Sequence, residues 1–200
     1  MSDTAAESGR GPEDGGRLIV LRHAKSAWPD GVPDHERPLA GRGRRDAPAA
    51  GRRLYEAGYV PDLVICSTAR RARETWHLVA AELVAAEPDV VFEPRVYEAS
   101  ASALLHVLRD VVVRGGSEPG RTVLLIGHQP GVQELVLSLA GGGDEEALAR
   151  ARGKFPTSAF AVLAVPGAWG APGIGAGLAS GAAVLTDFAV PRGPVTAGRR

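Results

Sequence analysis

Arg22 and His23 follow directly on Leu18-Ile19-Val20-Leu21. An aliphatic run of this kind reads as a buried strand, and the pair then stands at its carboxyl end, where open α/β sheets hold their ligands. An imidazole can attack phosphorus and a guanidinium can hold phosphoryl oxygens, so phosphoryl chemistry suits the pair. Two further apolar segments end in reactive side chains. Leu63-Val64-Ile65-Cys66 runs into Ser67-Thr68-Ala69-Arg70-Arg71-Ala72-Arg73-Glu74-Thr75, and Thr122–Ile126 runs into Gly127-His128-Gln129-Pro130-Gly131. Parallel strands share a carboxyl edge, so three ends far apart in sequence can converge. Two of the ends open helices, whose free N–H groups and dipole favour an anion. Two histidines and at least two arginines at one edge would form a cationic pocket for a tetrahedral dianion.

The elements that would position these residues are readable from periodicity. Strands are expected at Arg17–Leu21, Asp62–Cys66, Val90–Phe92, Thr122–Ile126, Ser158–Val165 and Val184–Phe188. Helices are expected at Ala40–Ala57, with Pro48 a complication, and at Ala69–Ala86, Ser102–Val113 and Pro130–Ala140. Strands alternating with helices predict a three-layer α/β/α sandwich with a mostly parallel central sheet. One domain over residues 17–190 would follow a disordered leader, 1–16, and precede a flexible tail, 191–200. Lys25–Leu39 and the Gly/Ala/Pro-rich Gly167–Gly181 read as long loops.

The chain has 200 residues and a formal net charge of zero, so nothing in its overall charge favours nucleic acid or an anionic membrane. Its cations are almost all arginine, with lysine only at positions 25 and 154, which reads as a bias of the whole sequence. Cys66 is the only cysteine, which excludes an intrachain disulfide and a zinc site built on several thiolates. A reducing cytoplasm is the expected setting. There is no signal-peptide pattern and no apolar run long enough to span a membrane.

Leu21-Arg22-His23-Ala24 resembles the Arg-His-Gly signature of the histidine phosphatase superfamily, which includes phosphoglycerate mutases and many phosphatases. The segment from Ser67 to Thr75 resembles its second element, and Gly127-His128 its third. Ala24 in place of Gly, Arg37-Pro38-Leu39 after the first loop, and the absence of a large cap insertion resemble the SixA-type phosphohistidine phosphatase branch. The resemblance covers roughly 18–163. It implies a phosphoglycerate mutase-like fold and a metal-independent phosphatase without a cofactor. His23 would be the nucleophile that becomes phosphorylated, with Arg22, Arg71 and His128 binding the phosphoryl oxygens. The spacing of the second element selects Arg71 over Arg70 and Arg73. Positive charge and in-line placement are what phosphoryl transfer needs. Neighbouring arginines would keep His23 neutral, and His128 would serve best as a cation or a donor. Glu98 is the candidate general acid, set against a capping or surface role; Asp34, Glu36 and Asp46 are alternatives.

The expected substrate is a phosphohistidine on a protein, whose P–N bond needs little help from a strong acid. A small phosphoester such as a sugar phosphate or nucleotide is the second reading, and a non-catalytic phospho-ligand binding module the third. His35, His77 and His106 match no motif and read as surface or helix-face residues.

Overall fold

A computed structural model describes residues 15–84, 86–114, 121–167 and 178–193. The main elements in chain order are β1 (Gly16–Arg22), α1 (Gly41–Glu56), β2 (Leu63–Ser67), α2 (Arg70–Ala80), β3 (Asp89–Glu93), α3 (Ala101–Arg114), β4 (Thr122–Gly127), α4 (Gly131–Leu139), β5 (Ala140–Gly143), α5 (Glu145–Gly153), β6 (Phe160–Val165) and β7 (Ala183–Ala189). Two single-turn 3₁₀ segments, Asp34–Glu36 and Pro94–Val96, interrupt the loops.

Successive strand residues face opposite sides of a sheet, and here both sides are apolar. Leu18 and Val20 of β1, Leu63 and Ile65 of β2, and Val123 and Leu125 of β4 enter one core, which Leu104 and Leu108 of α3 and Leu135 of α4 close. Ile19 and Leu21, Val64 and Cys66, and Leu124 and Ile126 enter the other, closed by Leu54 of α1 and Trp76 and Val79 of α2. Near-continuous apolar strands covered on both faces make the three-layer sandwich that the periodicity predicts. Each large side chain removed from water contributes about 1.5–3 kcal/mol before chain entropy is set against it.

Seven strands form one sheet in the order β3-β2-β4-β1-β6-β7-β5. The first four are mutually parallel, and β6 runs antiparallel to both of its neighbours. Pro48 lies inside α1 without ending it. The α2 helix stops at Ala80, short of the expected Ala86, because tighter three-residue bonds at Glu82 and Leu83 unwind its last turn. β5 and α5 are absent from the sequence-based expectation. Three of the four residues of β5 are glycine, and a Cβ on Gly141 would lie 1.9 Å from the Gly181 carbonyl oxygen. Only glycine allows that approach, and glycine gives no strand signal.

Residues 1–14 of the expected leader lie outside the described residues, while Gly16 opens β1 opposite Val165. Most of the expected tail, 194–200, and most of the Gly-rich loop, 168–177, also lie outside them. Pro191, Arg192 and Gly193 run beside α1, where the Gly193 N–H donates to the buried Asp46. Among the described residues no helix is long and apolar enough to cross a membrane.

Candidate active site

The sheet brings the three reactive strand ends together. β4 lies between β1 and β2, with Arg22 level with Gly127 and Cys66 level with Ile126. His23 and His128, each one residue further on, meet with ring centroids 4.9 Å apart. Both are buried.

The His23 imidazole is fixed by its own chain. Its Nδ1–H donates to the Ala24 carbonyl at 2.8 Å, which leaves Nε2 as the unprotonated nitrogen. Burial first, then the neighbouring His128, push its pKa well below the ordinary histidine value; Arg71 and Arg22 act in the same direction. Ala24 is held in turn: its N–H donates to Thr75 Oγ1 at 3.0 Å, and the Thr75 hydroxyl donates to the Arg71 carbonyl at 2.6 Å. A buried threonine on α2 therefore sets the position of the residue that orients His23. The next peptide is braced by α1, since the Ala40 N–H donates to the Lys25 carbonyl and a Cβ on Gly43 would fall 2.2 Å from that oxygen.

Arg22 donates through Nη1 to the Phe155 carbonyl, and its buried Nε–H has no partner among the described residues. Burial lowers its pKa. The backbone carbonyls of Arg22 and His23 share the Ser158 N–H, and Ser158 holds a left-handed conformation (φ 64°) to reach them. His128 has a defined tautomer as well. A guanidinium only donates, so Nδ1 accepts from Arg71 Nη2 at 3.4 Å, and Nε2–H donates to Ser67 Oγ at 2.7 Å. Burial, followed by Arg71, lowers its pKa to about 3. With its pKa lowered this far His128 is neutral near pH 7, which leaves the donor, of the two roles expected for it, as the one its free state allows.

Arg71 is the arginine that faces the pocket. Its Nη1 donates to the Asp34 carbonyl at 2.6 Å and its Nη2 to the Asp34 carboxylate at 2.9 Å. Arg70 instead pairs with Glu74, and Arg73 reaches toward Glu36. The Asp34 carboxylate also accepts from the Tyr97 hydroxyl at 2.8 Å and from Arg37. Burial alone would raise its pKa, but the bonds from Tyr97, Arg37 and Arg71 prevail and hold it at about 2. Asp34 is a permanent anion that grips Arg71, and this excludes it as a proton donor. The Arg37 guanidinium is buried beneath Trp28 and bonded to Ser26 and to the Ala27 carbonyl, so it builds the loop.

Glu98 does not join this network. It is exposed, sits at φ 52°, and its carboxylate has no hydrogen-bond partner among the described residues. Its neighbour Tyr97 fills the inward position, edge-on to the His128 ring. The cap of α3 falls to Ser100, whose Oγ accepts from the Ala103 N–H. Asp46, a residue of α1 itself, is buried beside Arg42 and Arg192, a structural place. Burial pushes the Cys66 thiol up, away from reactivity. Ser67 and Thr75 lie in the segment that the sequence singled out, though without a role assigned to either, and Tyr97 and His35 are the neighbours that strand-end reasoning missed. His35, expected to be a surface residue, packs edge-on against Tyr97 and bonds Thr68 Oγ1 at 3.0 Å. Among the described residues no group of three or more His, Cys, Asp or Glu side chains could hold a metal ion.

A mostly parallel sheet with two histidines and two arginines at its carboxyl edge defines an enzyme class that handles phosphoryl groups. The chain belongs to the histidine phosphatase superfamily, whose branch 1 model matches residues 18–104, and it is a phosphatase with the phosphoglycerate mutase-like fold. An uncharacterized protein of Mycobacterium tuberculosis is 38% identical over 86% of this chain and 100% of its own length. Among solved structures, a candidate phosphohistidine phosphatase SixA from Nakamurella multipartitia is 27% identical, covers 90% of this chain and 99% of its own, and superposes with a TM-score of 0.69. Another, from Agrobacterium tumefaciens, is 28% identical, covers 88% and 98%, and gives 0.67.

Proposed function

We propose that the chain hydrolyses phosphoryl groups without a metal, through a covalent phosphohistidine at His23, and that its preferred substrate is a phosphohistidine carried on a protein. The observation that carries the mechanism is the His23 tautomer: Nδ1–H is committed to the Ala24 carbonyl, so Nε2 is a free base in a site that keeps it neutral. Arg22 and Arg71 supply the fixed positive charge for the equatorial oxygens, which is the main requirement of phosphoryl transfer. The unspent Nε–H of Arg22 supports its part in this. An arriving dianion raises the proton affinity of the neighbouring His128, which becomes a donor when the site fills.

The substrate choice rests on proton donors. Asp34 is ionised, and Glu98 stands outside the network. A phosphoester leaving group needs a proton, whereas a phosphohistidine departs as neutral imidazole when its far ring nitrogen carries one. The two similar structures of candidate phosphohistidine phosphatases favour the same choice.

Rapid quench of the protein with labelled phosphohistidine protein and with p-nitrophenyl phosphate tests the proposal. Acid-labile, base-stable label should appear on the wild type and not on His23→Ala, with turnover of both substrates reduced by about 10⁴-fold or more in the variant. Turnover unaffected by His23→Ala would overturn the mechanism. A p-nitrophenyl phosphate kcat/KM above that of the phosphohistidine protein would overturn the substrate choice.

A further inference from the structure

The chain's two lysines, Lys25 and Lys154, both stand beside the pocket. Lys25 lies two residues beyond His23, and Lys154 precedes Phe155, whose carbonyl holds Arg22. Two arginines meet the same segment. Arg42, at the start of α1, donates to Thr157 Oγ1 at 3.2 Å, and Arg192, beyond β7, donates to the Thr157 carbonyl at 3.2 Å. Thr157 adjoins Ser158, whose N–H binds the His23 carbonyl. Arg152 is exposed in the last turn of α5, two residues before Lys154.

This side of the rim carries positive charge that the fold does not spend. Arg42 and Arg192 share one buried carboxylate, Asp46, at 3.5 and 3.6 Å, and each keeps about half of its side chain in solvent. Lys25, Arg152 and Lys154 are exposed and pair with no carboxylate among the described residues. The exposed carboxylates of Glu36 and Glu98 stand on the other side, where β2 and β3 end. The whole chain is formally neutral, so the asymmetry belongs to the pocket mouth and not to the protein at large. Trp28 adds an apolar surface three residues beyond Lys25. It is 72% exposed, and one face of its ring lies on the Arg37 guanidinium, which Ser26, Ala27 and Asp34 hold in place. A small phosphate ester cannot cover cations drawn from α1, α5 and the exit of β7 together with an indole, whereas a protein surface can. Exposed tryptophan and arginine are the side chains that anchor protein interfaces, and an indole already fixed loses little freedom on binding.

We propose that the rim formed by Lys25, Arg42, Arg152, Lys154 and Arg192, with Trp28 beside it, is a docking surface for a protein whose surface around the phosphohistidine is acidic. The inference rests on the reading of the substrate as protein-borne phosphohistidine and adds which such proteins are taken. Aspartate and glutamate flanking the phosphohistidine meet the cations of the rim while the phosphoryl group enters the pocket. The field of the rim draws an acidic partner in and turns its phosphorylated face toward His23, and it rejects a basic partner by like charge. Rim charges act on encounter and register, so their effect falls on KM and kcat/KM and leaves the chemical step alone.

The test compares two phosphohistidine peptides of equal length, one flanked by aspartate and glutamate and one by lysine, with p-nitrophenyl phosphate as the substrate that reaches the pocket alone. Wild type should favour the acidic peptide by about 10-fold or more in kcat/KM, and the preference should shrink as salt rises from about 0.1 M to about 1 M. Arg152→Glu with Lys154→Glu should raise KM for the acidic peptide by about 10-fold and remove the preference, with kcat on p-nitrophenyl phosphate changed by less than about 2-fold. Equal rates on the two peptides, or a preference for the lysine peptide, would overturn the docking surface while leaving the phosphohistidine reading in place. So would a preference that survives the charge reversal, or a loss of the same size on p-nitrophenyl phosphate. Tighter binding of duplex DNA than of the acidic peptide at about 0.15 M salt would reassign the rim to nucleic acid and overturn it as well. Turnover of p-nitrophenyl phosphate with neither peptide hydrolysed would overturn the substrate reading, and this inference with it.

Discussion

Thr75→Val isolates one link between helix and nucleophile. Thr75 is fully buried, and its hydroxyl accepts from the Ala24 N–H and donates to the Arg71 carbonyl. Valine has nearly the same shape, so packing is preserved and the Ala24 N–H is left buried without a partner. An unmade buried hydrogen bond of this kind costs about 1–3 kcal/mol. In a domain of this size each kcal/mol lowers Tm by about 2–4 °C, so a fall of roughly 4–8 °C is expected for a cost near 2 kcal/mol. The catalytic effect follows from the carbonyl of the same residue. Ala24 accepts the His23 Nδ1–H, so a loosened Ala24 loosens the imidazole, and small misplacements of a reacting group cost up to about 10²-fold. Steady-state kinetics on p-nitrophenyl phosphate should show kcat down by about 10–100-fold with KM changed by less than about 3-fold. Thr75→Ser should restore most of both. If Tm falls and kcat does not, Ala24 does not position the nucleophile; if Tm does not fall, the hydrogen bond does not stabilise the fold.

Stability should fall with acidification before any carboxylate titrates. The unfolded chain's histidines take up protons as pH drops past about 6.5, whereas folded His128 resists until about 3, so the unfolded state binds more protons in between. At pH 5 that difference is about 2 kcal/mol for His128 alone, read as a lower urea midpoint at pH 5 than at pH 7.5 and flattened in His128→Asn; a midpoint flat with pH in the wild type would contradict the buried neutral histidine. Asp34 acts in the same direction, since its folded pKa also lies below the ordinary value, but its stability is lost only as pH falls from about 4 toward 2, outside that window. Asp34→Asn should lower kcat about 10-fold by freeing Arg71, while inorganic phosphate inhibits more strongly because one negative charge has left the pocket; weaker inhibition would refute the charge argument. Glu98→Gln should change kcat by less than about 2-fold on phenyl phosphate, since its carboxylate is exposed and makes no hydrogen bond among the described residues; a loss of 10-fold or more would return the acid role to Glu98.

The parts that periodicity could reach were legible. Arg22, His23, Arg71 and His128 each follow a short apolar run, and an open parallel sheet has one edge at which such residues can gather. The register of β1 with β4 then brings His23 and His128 together with no further information. The short helix α5 was missed although Asp144 caps it, glutamates fill its first turn and arginines its last. Only Ala147 and Ala151 of α5 are buried, too little apolar surface to register as a periodic face.

Proton chemistry was harder to see because it depends on loops. Glu98 looked suitable by position along the chain, but the backbone turns left-handed there and Tyr97 takes the inward place. Asp34 and His35 belong to a segment of irregular sequence whose path is set by Arg37, and that path puts a carboxylate onto Arg71 and an imidazole onto Thr68. The carboxylate has a cost and a use. It offsets part of the positive charge that would attract phosphate, yet without it Arg71 would keep only the Asp34 carbonyl of the two acceptors that fix its plane beside His128. A guanidinium already in place pays no reorganisation when charge develops at phosphorus, and preorganised charge of that kind counts toward the transition state more than toward ground-state affinity. A weaker grip on phosphate also suits an enzyme whose product is phosphate, because tight ground-state binding of a dianion would slow its release.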